Sequence, residues 1–253
     1  MRYQFTFEVR GIEPVASATI DVQPRDAKPA TRLTLPVDGP AIVYDGHDFY
    51  SHHRRIPLGG ELARRFNLTT NPVRFANDWS PVGPDGELAR GSLSVPTNWY
   101  AYGAVVRAPG PGLVISVAND VPDNRIEGGD SLVVPPEVAA NPERAWLGNH
   151  LIIAHGEGEY SVLAHLEMGS VPVRVGDSVR AGAPVGRIGF SGDTGFHVHL
   201  HHVLVTDPGM SGEGLPTYFD QVRRVAMGGG AKPFGPVLSA ARLDTGDLVV
   251  RVP

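Results

Sequence analysis

The chain has 253 residues, of which 42% are hydrophobic and 19% are charged, and its formal net charge is −5. This composition supports a buried core and excludes an intrinsically disordered chain. The absence of cysteine excludes disulfides, thiolate zinc ligands and cysteine nucleophiles. Nucleic acid is not expected as a partner, because the net charge is negative and no long run of lysine or arginine occurs. No apolar run reaches the roughly 18–20 residues that a membrane span needs.

The chain begins with two segments that alternate polar and apolar residues, 2–10 and 16–22. They predict a pair of strands, and together with the connector after them they form a predicted N-terminal β-extension over residues 1–36. A signal peptide would be continuously apolar where this start alternates, so no leader is expected in the chain.

From residue 37 onward, short apolar runs rich in β-branched residues recur between clusters of glycine, proline and asparagine, which predicts further strands. Helical spacing appears only in 58–66 and 218–225. Two stretches, 54–73 and 118–146, are long enough to be functional or irregular loops, and they would restrict access if they folded over a site. The predicted fold class is mainly β, with an antiparallel sheet in one domain over residues 37–253. The predicted strands are 41–44, 103–106, 112–117, 150–154 and 160–164.

Two motifs of other protein classes are incomplete in this sequence. Residues 171–189 contain a V-x-V-G-D-x-V-x-x-G turn that resembles the hairpins of lipoyl and biotinyl carrier domains, but such a carrier needs a lysine on an exposed turn. The only lysines, Lys28 and Lys232, are far from it in the sequence. Residues 189–193 miss the G-x-S-x-G nucleophile elbow at the last position and lack the lysine of a phosphate loop. The sequence therefore favours neither a carrier nor a serine hydrolase.

Histidines alternate with apolar residues in the segment H-V-H-L-H, residues 197–201. The period of two in a strand places His197, His199 and His201 on one face, whereas His202 falls on the other face and is expected to be structural. A face of three imidazoles suits metal binding or acid–base catalysis. The alternative is a solvent-exposed polar face, for which threonine, lysine or glutamate would be more usual.

Zinc in a catalytic site takes three protein ligands and keeps one position open. The chain has no H-E-x-x-H helix and no cysteine, so the ligands must come from dispersed segments. Besides His199, the candidates are Asp78, His165 and the pair 52–53, with His47 as an outside candidate.

The stretch from Tyr102 to Val205 resembles the lysostaphin/LytM-type zinc endopeptidases, the Gly-Gly endopeptidase family that cuts peptide cross-links in bacterial cell walls. The matching segments keep the family's order and spacing: 102–109, 148–156, 160–166, the Val-Gly-Asp hairpin and 194–200. The resemblance implies a LytM-like, barrel-sandwich-hybrid-like β fold, zinc as the cofactor, and a peptide or peptidoglycan substrate. It also implies an extracellular or cell-envelope location.

The resemblance also implies roles for individual histidines. His199, the second histidine of the H-x-H motif, corresponds to a zinc ligand, and His165 and His197 correspond to the catalytic imidazoles. Hydrolysis would then use a metal-activated water, with one imidazole accepting its proton and the other steadying the oxyanion.

The sequence departs from the family pattern at two places. The first motif is normally H-x-x-x-D, with both ends binding zinc, but here it is R-F-A-N-D; Asp78 is kept, whereas Arg74 has no lone pair for a metal. The sequence resembles a subset with R-[FY]-A-x-D after a separate histidine pair, which implies His53 as the missing ligand and His52 as its alternative. His201 stands where the family often has glutamate, as a partner of a zinc ligand.

Arg74 keeps a second function open, that of a metal-free, inactive relative that binds cell-wall peptide or activates a partner hydrolase. A third is a peptidase that acts on ordinary peptides or on an intracellular target.

Overall fold

A computed structural model of the chain describes residues 2–9, 12–21, 28–129, 131–209 and 212–252. The fold is mainly β with one large antiparallel sheet, as the sequence predicts. The strands are β1 (Arg2–Val9), β2 (Ile12–Asp21), β3 (Leu33–Thr34), β4 (Ala41–Asp45), β5 (Asn77–Pro81), β6 (Val105–Arg107), β7 (Gly112–Ala118), β8 (Arg125–Glu127), β9 (Ser131–Val133), β10 (Asn149–Gly156), β11 (Glu159–Leu166), β12 (Ser178–Val179), β13 (Pro184–Arg187), β14 (Leu200–Val205), β15 (Gly214–Leu215), β16 (Phe219–Asp220), β17 (Val222–Ala226), β18 (Lys232–Leu238) and β19 (Leu248–Arg251). The helices are α1 (Glu61–Arg65), α2 (Pro136–Ala139) and α3 (Pro142–Leu147), with 3₁₀ turns at His53–Arg55 and Pro96–Asn98.

The large sheet has the strand order β12-β7-β10-β11-β14-β5-β4-β19-β17-β18, with β15 added beside β14. Strand β14 therefore lies between β11 and β5, and β5 pairs in turn with β4. His201 stands opposite Asp78, and Asp78 stands opposite Asp45. Since opposite residues of neighbouring strands share a face, these three side chains form one polar row across the sheet.

The residues that alternate with the histidines, just before β14 and within it, point into the core. Val198 and Leu200 are fully buried in the larger hydrophobic cluster with Trp79. His202 is also fully buried, with its ring 6.0 Å from the ring of Phe219. Burial lowers the pKa of His202 to about 3, so its imidazole is neutral in the folded chain at neutral pH.

The prediction of a helix over 218–225 is wrong, because these residues form β16 and β17. Gln221, between the two strands, has a φ of 57°, which a right-handed helix does not allow. The β-branched Val222 pairs with β18 and β19 instead. The predicted helix over 58–66 is present only as the five residues of α1. Both predicted long loops contain short elements, the second of them β8, β9, α2 and α3.

At the N-terminus, β1 and β2 form an antiparallel two-stranded sheet, and the second strand begins earlier than predicted, at Ile12. Arg10 and Val22, the ends of the predicted strands, lie outside the described residues. Strand β3 pairs in parallel with β16, and Leu33 and Leu35 are buried in the larger core cluster. The domain boundary at residue 36 stays a prediction. Among the described residues, no helix combines the length and the apolar character that crossing a bilayer requires.

Candidate metal centre

A buried carboxylate, that of Asp78 on β5, lies at the centre of the histidine cluster. Its Oδ2 is 3.6 Å from Nε2 of His53 and 3.9 Å from Nε2 of His197. Its Oδ1 is 3.5 Å from Nε2 of His199 and accepts a hydrogen bond of 2.9 Å from Nδ1 of His201. One carboxylate thus faces four imidazoles from two other segments of the chain.

Among the described residues, the Asp78 anion has no lysine or arginine beside it. Burial raises the pKa of its carboxyl group, but the surrounding histidines more than offset this effect and hold the pKa well below its usual range. Within the described part of the chain, the side chains that approach Asp78 as ion-pair partners are histidines, with no lysine or arginine among them. A buried charge is costly unless it is paired, so this site favours an added cation.

The row across the sheet brings a second carboxylate, that of Asp45, behind His53. A register shift between Val43 and Asp45 places Asp45, rather than Tyr44, opposite Asp78. Oδ2 of Asp45 lies 2.8 Å from Nδ1 of His53 and also accepts hydrogen bonds from the Ser51 hydroxyl, at 2.9 Å, and from the backbone N–H of His53, at 3.3 Å. A carboxylate at Nδ1 leaves Nε2 of His53 as the metal-binding nitrogen, which is the usual arrangement around zinc-binding histidines.

The two histidines of the pair 52–53 occupy different environments. The side chain of His53 is 10% exposed and its Nε2 faces Asp78, whereas the side chain of His52 is 62% exposed. Nδ1 of His52 lies 2.8 Å from Oδ2 of Asp45, and this hydrogen bond raises the pKa of His52. Of the two, the placement of His53 suits a ligand, because its free nitrogen is buried against Asp78.

The segment that contains Arg74 is tied to the histidine pair by a neighbouring asparagine. The buried side chain of Asn71 donates a hydrogen bond of 2.8 Å to the carbonyl of His53, and its own Oδ1 accepts one from the N–H of Val73. Arg74 forms a partly exposed ion pair with Glu213, with 2.7 Å between Nε and Oε1. The guanidinium is therefore engaged away from Asp78, and His53 stands beside the carboxylate instead.

Hydrogen bonds to backbone carbonyls fix the ring orientation of two further histidines. Nδ1 of His199 donates to the carbonyl of His197 at 3.1 Å, so its Nε2 has a free lone pair towards Asp78. Nδ1 of His165 donates to the carbonyl of Ser191 at 2.9 Å. Burial lowers the pKa of His199 well below its usual range and that of His165 to about 3, so both rings are neutral at neutral pH. Neutral imidazoles are required for metal binding and for accepting a proton.

His165 lies near the end of β11 with a φ of 65°, a left-handed conformation that is uncommon outside glycine. The neighbouring backbone is held by Ser191, whose hydroxyl donates to the carbonyl of Leu166 and accepts from the N–H of Asn149. The Ser191 hydroxyl, which the sequence places near a nucleophile motif, thus has a structural role beside His165.

Two histidines each lie close enough to Asp78 to share a zinc ion with it, His53 at Oδ2 and His199 at Oδ1. Two atoms that each bind one zinc ion at about 2.0–2.1 Å can be at most about 4.2 Å apart. The distances of 3.6 Å from Asp78 to His53 and 3.5 Å from Asp78 to His199 meet that limit. Nε2 of His197 and Nε2 of His201 are buried and have no hydrogen-bond partner among the residues that the structure describes, so the cluster has unused nitrogen atoms.

Three groups of side chains have ligand atoms within 4.8 Å of one another. Asp78 belongs to two of them, one with Asp45 and the pair 52–53, and one with His197 and His199. The third group consists of His165, His199 and His201. The structure thus brings together all the candidates that the sequence gives for this site except His47, and it adds Asp45.

The cluster opens into a cavity of about 290 Å³. Both predicted long loops contribute to its wall, the first with Ile56 and Leu62 and the second with Trp146. The ring of Trp146 packs edge-on against Phe66 with 4.5 Å between ring centroids, which joins the two loops beside the site. Access to the histidines is therefore bounded by these loops.

His47, the outside candidate, lies away from the three groups of ligand atoms. Its ring stacks on Phe75 with centroids 4.7 Å apart, and neither ring nitrogen has a hydrogen-bond partner among the described residues. Burial lowers its pKa from the usual 6.5 to about 4, helped by the positive charges of Arg242 and Arg54. His47 is thus a neutral packing residue at neutral pH.

This shifted pKa predicts a pH-dependent loss of stability. Between pH 6.5 and 4 the unfolded chain binds a proton at His47 that the folded chain does not, so stability falls as the pH falls. Lowering the pH from 7.5 to 5 is expected to cost about 2 kcal/mol of unfolding free energy through His47. Urea unfolding of the chelator-treated wild type and of His47→Phe at both pH values measures this difference. Equal losses in the two proteins would contradict it.

The sequence alone does not predict that Asp45 and Asn71 belong to the site, nor that the Ser191 hydroxyl holds the backbone beside His165. Asp45 stands beside Gly46 and His47 in a turn-like context, which hides its position opposite Asp78. The sequence signal for Asp45 is its position at the end of an apolar run. A carboxylate there is expected to be buried, and a buried carboxylate needs partners.

Residues 99–208 match the model of Peptidase family M23, over less than half of the chain. The matched region contains His165, His197, His199 and His201, whereas His53 and Asp78 precede it. No curated protein sequence matches this chain. Residues 99–208 are therefore similar to M23 peptidases, and the subset with R-[FY]-A-x-D stays a prediction.

Solved structures to which the chain is similar include the following three. A mutant of the catalytic domain of the prophage-encoded M23 protein EnpA from Enterococcus faecalis is 21% identical, with a TM-score of 0.29, over 47% of this chain and 75% of that one. A zinc-containing peptidase from Vibrio cholerae is 18% identical, with a TM-score of 0.35, over 73% of this chain and 39% of that one. A putative peptidase M23 from Pseudomonas aeruginosa is 15% identical, with a TM-score of 0.35, over 80% of this chain and 66% of that one.

Proposed function

We propose that this chain is a zinc-dependent endopeptidase, with His53, Asp78 and His199 as the zinc ligands. The observation on which the proposal rests is the approach of two free imidazole nitrogens, at 3.5 and 3.6 Å, to the two oxygens of a buried carboxylate. Two imidazoles and one carboxylate are a known ligand set of hydrolytic zinc sites, and they leave one position open.

A negative ligand distinguishes this set from the group of His165, His199 and His201. Three neutral imidazoles would leave the full charge of the ion uncompensated in a buried site, whereas Asp78 supplies one negative charge. Asp45 supplies a second one behind His53. For this reason we assign His201 to orienting Asp78 through its hydrogen bond of 2.9 Å rather than to the metal.

Zinc, when bound, would polarise the scissile carbonyl group and lower the pKa of a water molecule towards neutrality. The chain would supply the proton transfers. Nε2 of His165 is neutral and available, because Nδ1 of that ring donates to Ser191, so His165 can accept a proton from water. His197, which also lines the cavity, is placed to donate a hydrogen bond to the developing oxyanion, and the proton accepted by His165 would then pass to the leaving amine.

The substrate is proposed to be a peptide. Cell-wall cross-links are the substrates that the sequence resemblance implies, with a cell-envelope location, and ordinary peptides are the alternative. The chemistry at the centre is the same for both, since each contains a peptide bond. The inactive, metal-free alternative is not favoured, because His53 lies beside Asp78, where it could replace the ligand lost at Arg74.

Removal and return of the metal tests the proposal. Protein purified without chelator is expected to hold about one zinc per chain, to lose hydrolysis of wall fragments or casein peptides on chelation, and to regain it with zinc. Zinc at one hundred times its Kd is also expected to stabilise the fold by about 2.7 kcal/mol, measured as an increase in Tm. Failure to bind zinc, with no change in Tm, would overturn the proposal and favour the metal-free alternative.

A further inference from the structure

A second cavity adjoins the candidate metal centre on the other side of His197. Its volume is about 440 Å³, and its wall includes His197 itself, which also lines the cavity of the metal centre. We call this second cavity the apolar groove. Its large apolar side chains are Tyr44, Leu88, Leu93, Trp99, Ile126 and Phe196.

The apolar groove leaves large hydrophobic side chains in contact with solvent. The exposed fraction is 41% for Tyr44, 52% for Leu93 and 54% for Phe196. Single exposed apolar residues are ordinary on a protein surface, but three that share one concave site indicate a binding surface. Among the described residues, no aspartate, glutamate, lysine or arginine lines this cavity.

Packing and hydrogen bonds fix the wall of the apolar groove. The indole N–H of Trp99 donates to the carbonyl of Leu93 at 2.9 Å, and the hydroxyl of Ser94 donates to the carbonyl of Gly129 at 3.0 Å. These bonds also use the indole N–H of Trp99 and the hydroxyl of Ser94, two polar groups that an occupant would otherwise meet. Binding there would therefore depend on apolar contact rather than on hydrogen bonds.

Tyr44 connects the apolar groove to the catalytic machinery. Its ring stacks on His197 with 4.2 Å between centroids, and His197 stacks in turn on His199 at 4.1 Å. A residue of a peptide chain adjacent to the scissile bond would thus lie against the face of Tyr44. Phe196 directly precedes His197, so its part of the wall is also continuous with the site.

We propose that the apolar groove is a specificity subsite that binds one bulky apolar side chain, such as leucine or phenylalanine, next to the scissile peptide bond. This inference rests on the proposed peptidase function. A glycyl or D-alanyl residue, as in cell-wall cross-links, would leave the groove unfilled and its side chains exposed. The groove therefore favours ordinary peptides with a bulky apolar residue as the substrate class.

The test uses matched quenched-fluorescence peptides that differ in one residue, which is glycine, alanine, leucine or phenylalanine on either side of the cleaved bond. Leucine or phenylalanine is expected to raise kcat/KM about 10–200-fold over glycine on one side, the range that small differences in apolar contact produce. Leu93→Ala and Phe196→Ala are expected to reduce this ratio at least about fivefold. Leu113→Ala, at a residue 45% exposed on β7 and outside both cavities, is the matched control and is expected to keep the ratio.

Binding of the same peptides, measured by fluorescence anisotropy, separates the two proposals. One outcome is that no peptide is cleaved, but the leucine peptide binds at least about tenfold more tightly than the glycine peptide and loses this advantage in Leu93→Ala. The peptidase function would then fail, whereas the subsite would stand. Equal kcat/KM and equal Kd for the glycine and leucine peptides would overturn the subsite. A preference that persists in Leu93→Ala and Phe196→Ala would overturn it too, as would a dimer that covers the groove.

Discussion

Zinc binding is expected to be lost in His53→Ala and kept in His52→Ala. The reason is that Nε2 of His53 faces Asp78 at 3.6 Å, whereas the side chain of His52 is mostly exposed and bonded to Asp45. Mutation of a residue that only contacts a metal ligand typically lowers metal affinity ten- to hundredfold. Loss of the ligand itself should lower the affinity for zinc by more than that. Zinc per chain after equilibrium dialysis, and Kd from competition with a chromophoric chelator, measure the difference.

Asp45→Asn is expected to weaken zinc binding without abolishing it. The substitution keeps the size of the side chain but removes the negative charge behind Nδ1 of His53. The affinity for zinc is expected to fall about 10–100-fold, with the stoichiometry restored at high zinc concentration. Asp38→Asn serves as the matched control, because Asp38 pairs with Arg107 away from the cluster. An unchanged Kd in Asp45→Asn would show that Asp45 does not orient His53.

Two further variants decide between the possible ligand groups. Asp78→Ala is expected to lose zinc, and His201→Ala is expected to weaken binding without abolishing it, because His201 donates to Asp78. The reverse pattern, in which His201→Ala loses zinc and His53→Ala keeps it, would instead identify the group of His165, His199 and His201 as the centre.

The sequence predicts those parts of the site that depend on local periodicity. The alternation of residues 197–201 places His197, His199 and His201 around Asp78, although only the last of them lies within β14. Val198 and Leu200, between them, are buried in the core. The period of two continues through the segment before the strand, so the shared face can be predicted without knowing the strand boundary.

Features that depend on pairing between distant strands cannot be predicted in this way. Asp45 faces Asp78 because of a register shift in β4, and a shift of one residue changes which side chains share a face. The apolar groove combines residues from separate parts of the chain, such as Tyr44 and Ile126. Short windows also leave helix and strand ambiguous, which is why the spacing of Val222 and Val225 indicates a helix where β17 forms.

Catalysis is expected to fail in His165→Ala while zinc binding is kept. His165 is neutral and buried, and Nδ1 is bonded to the carbonyl of Ser191, so the ring presents Nε2 as a proton acceptor. Removal of such a group is expected to lower kcat about 10²–10⁴-fold with little change in KM. Steady-state kinetics on the best-cleaved peptide, with zinc per chain measured on the same samples, tests this expectation.

His150→Ala is the matched control, because His150 is also buried and its Nδ1 also bonds to a carbonyl, that of Gly148, but it lines a different cavity. Its kcat should change less than about tenfold. His165 and His197 are expected to act as one unit, so the double variant should be hardly slower than the more damaged single variant. Loss of zinc in His165→Ala would make His165 a ligand instead. If the two imidazoles share one proton transfer, removing the second one adds little once the first is gone. Strictly additive losses would therefore mean that the two imidazoles act independently.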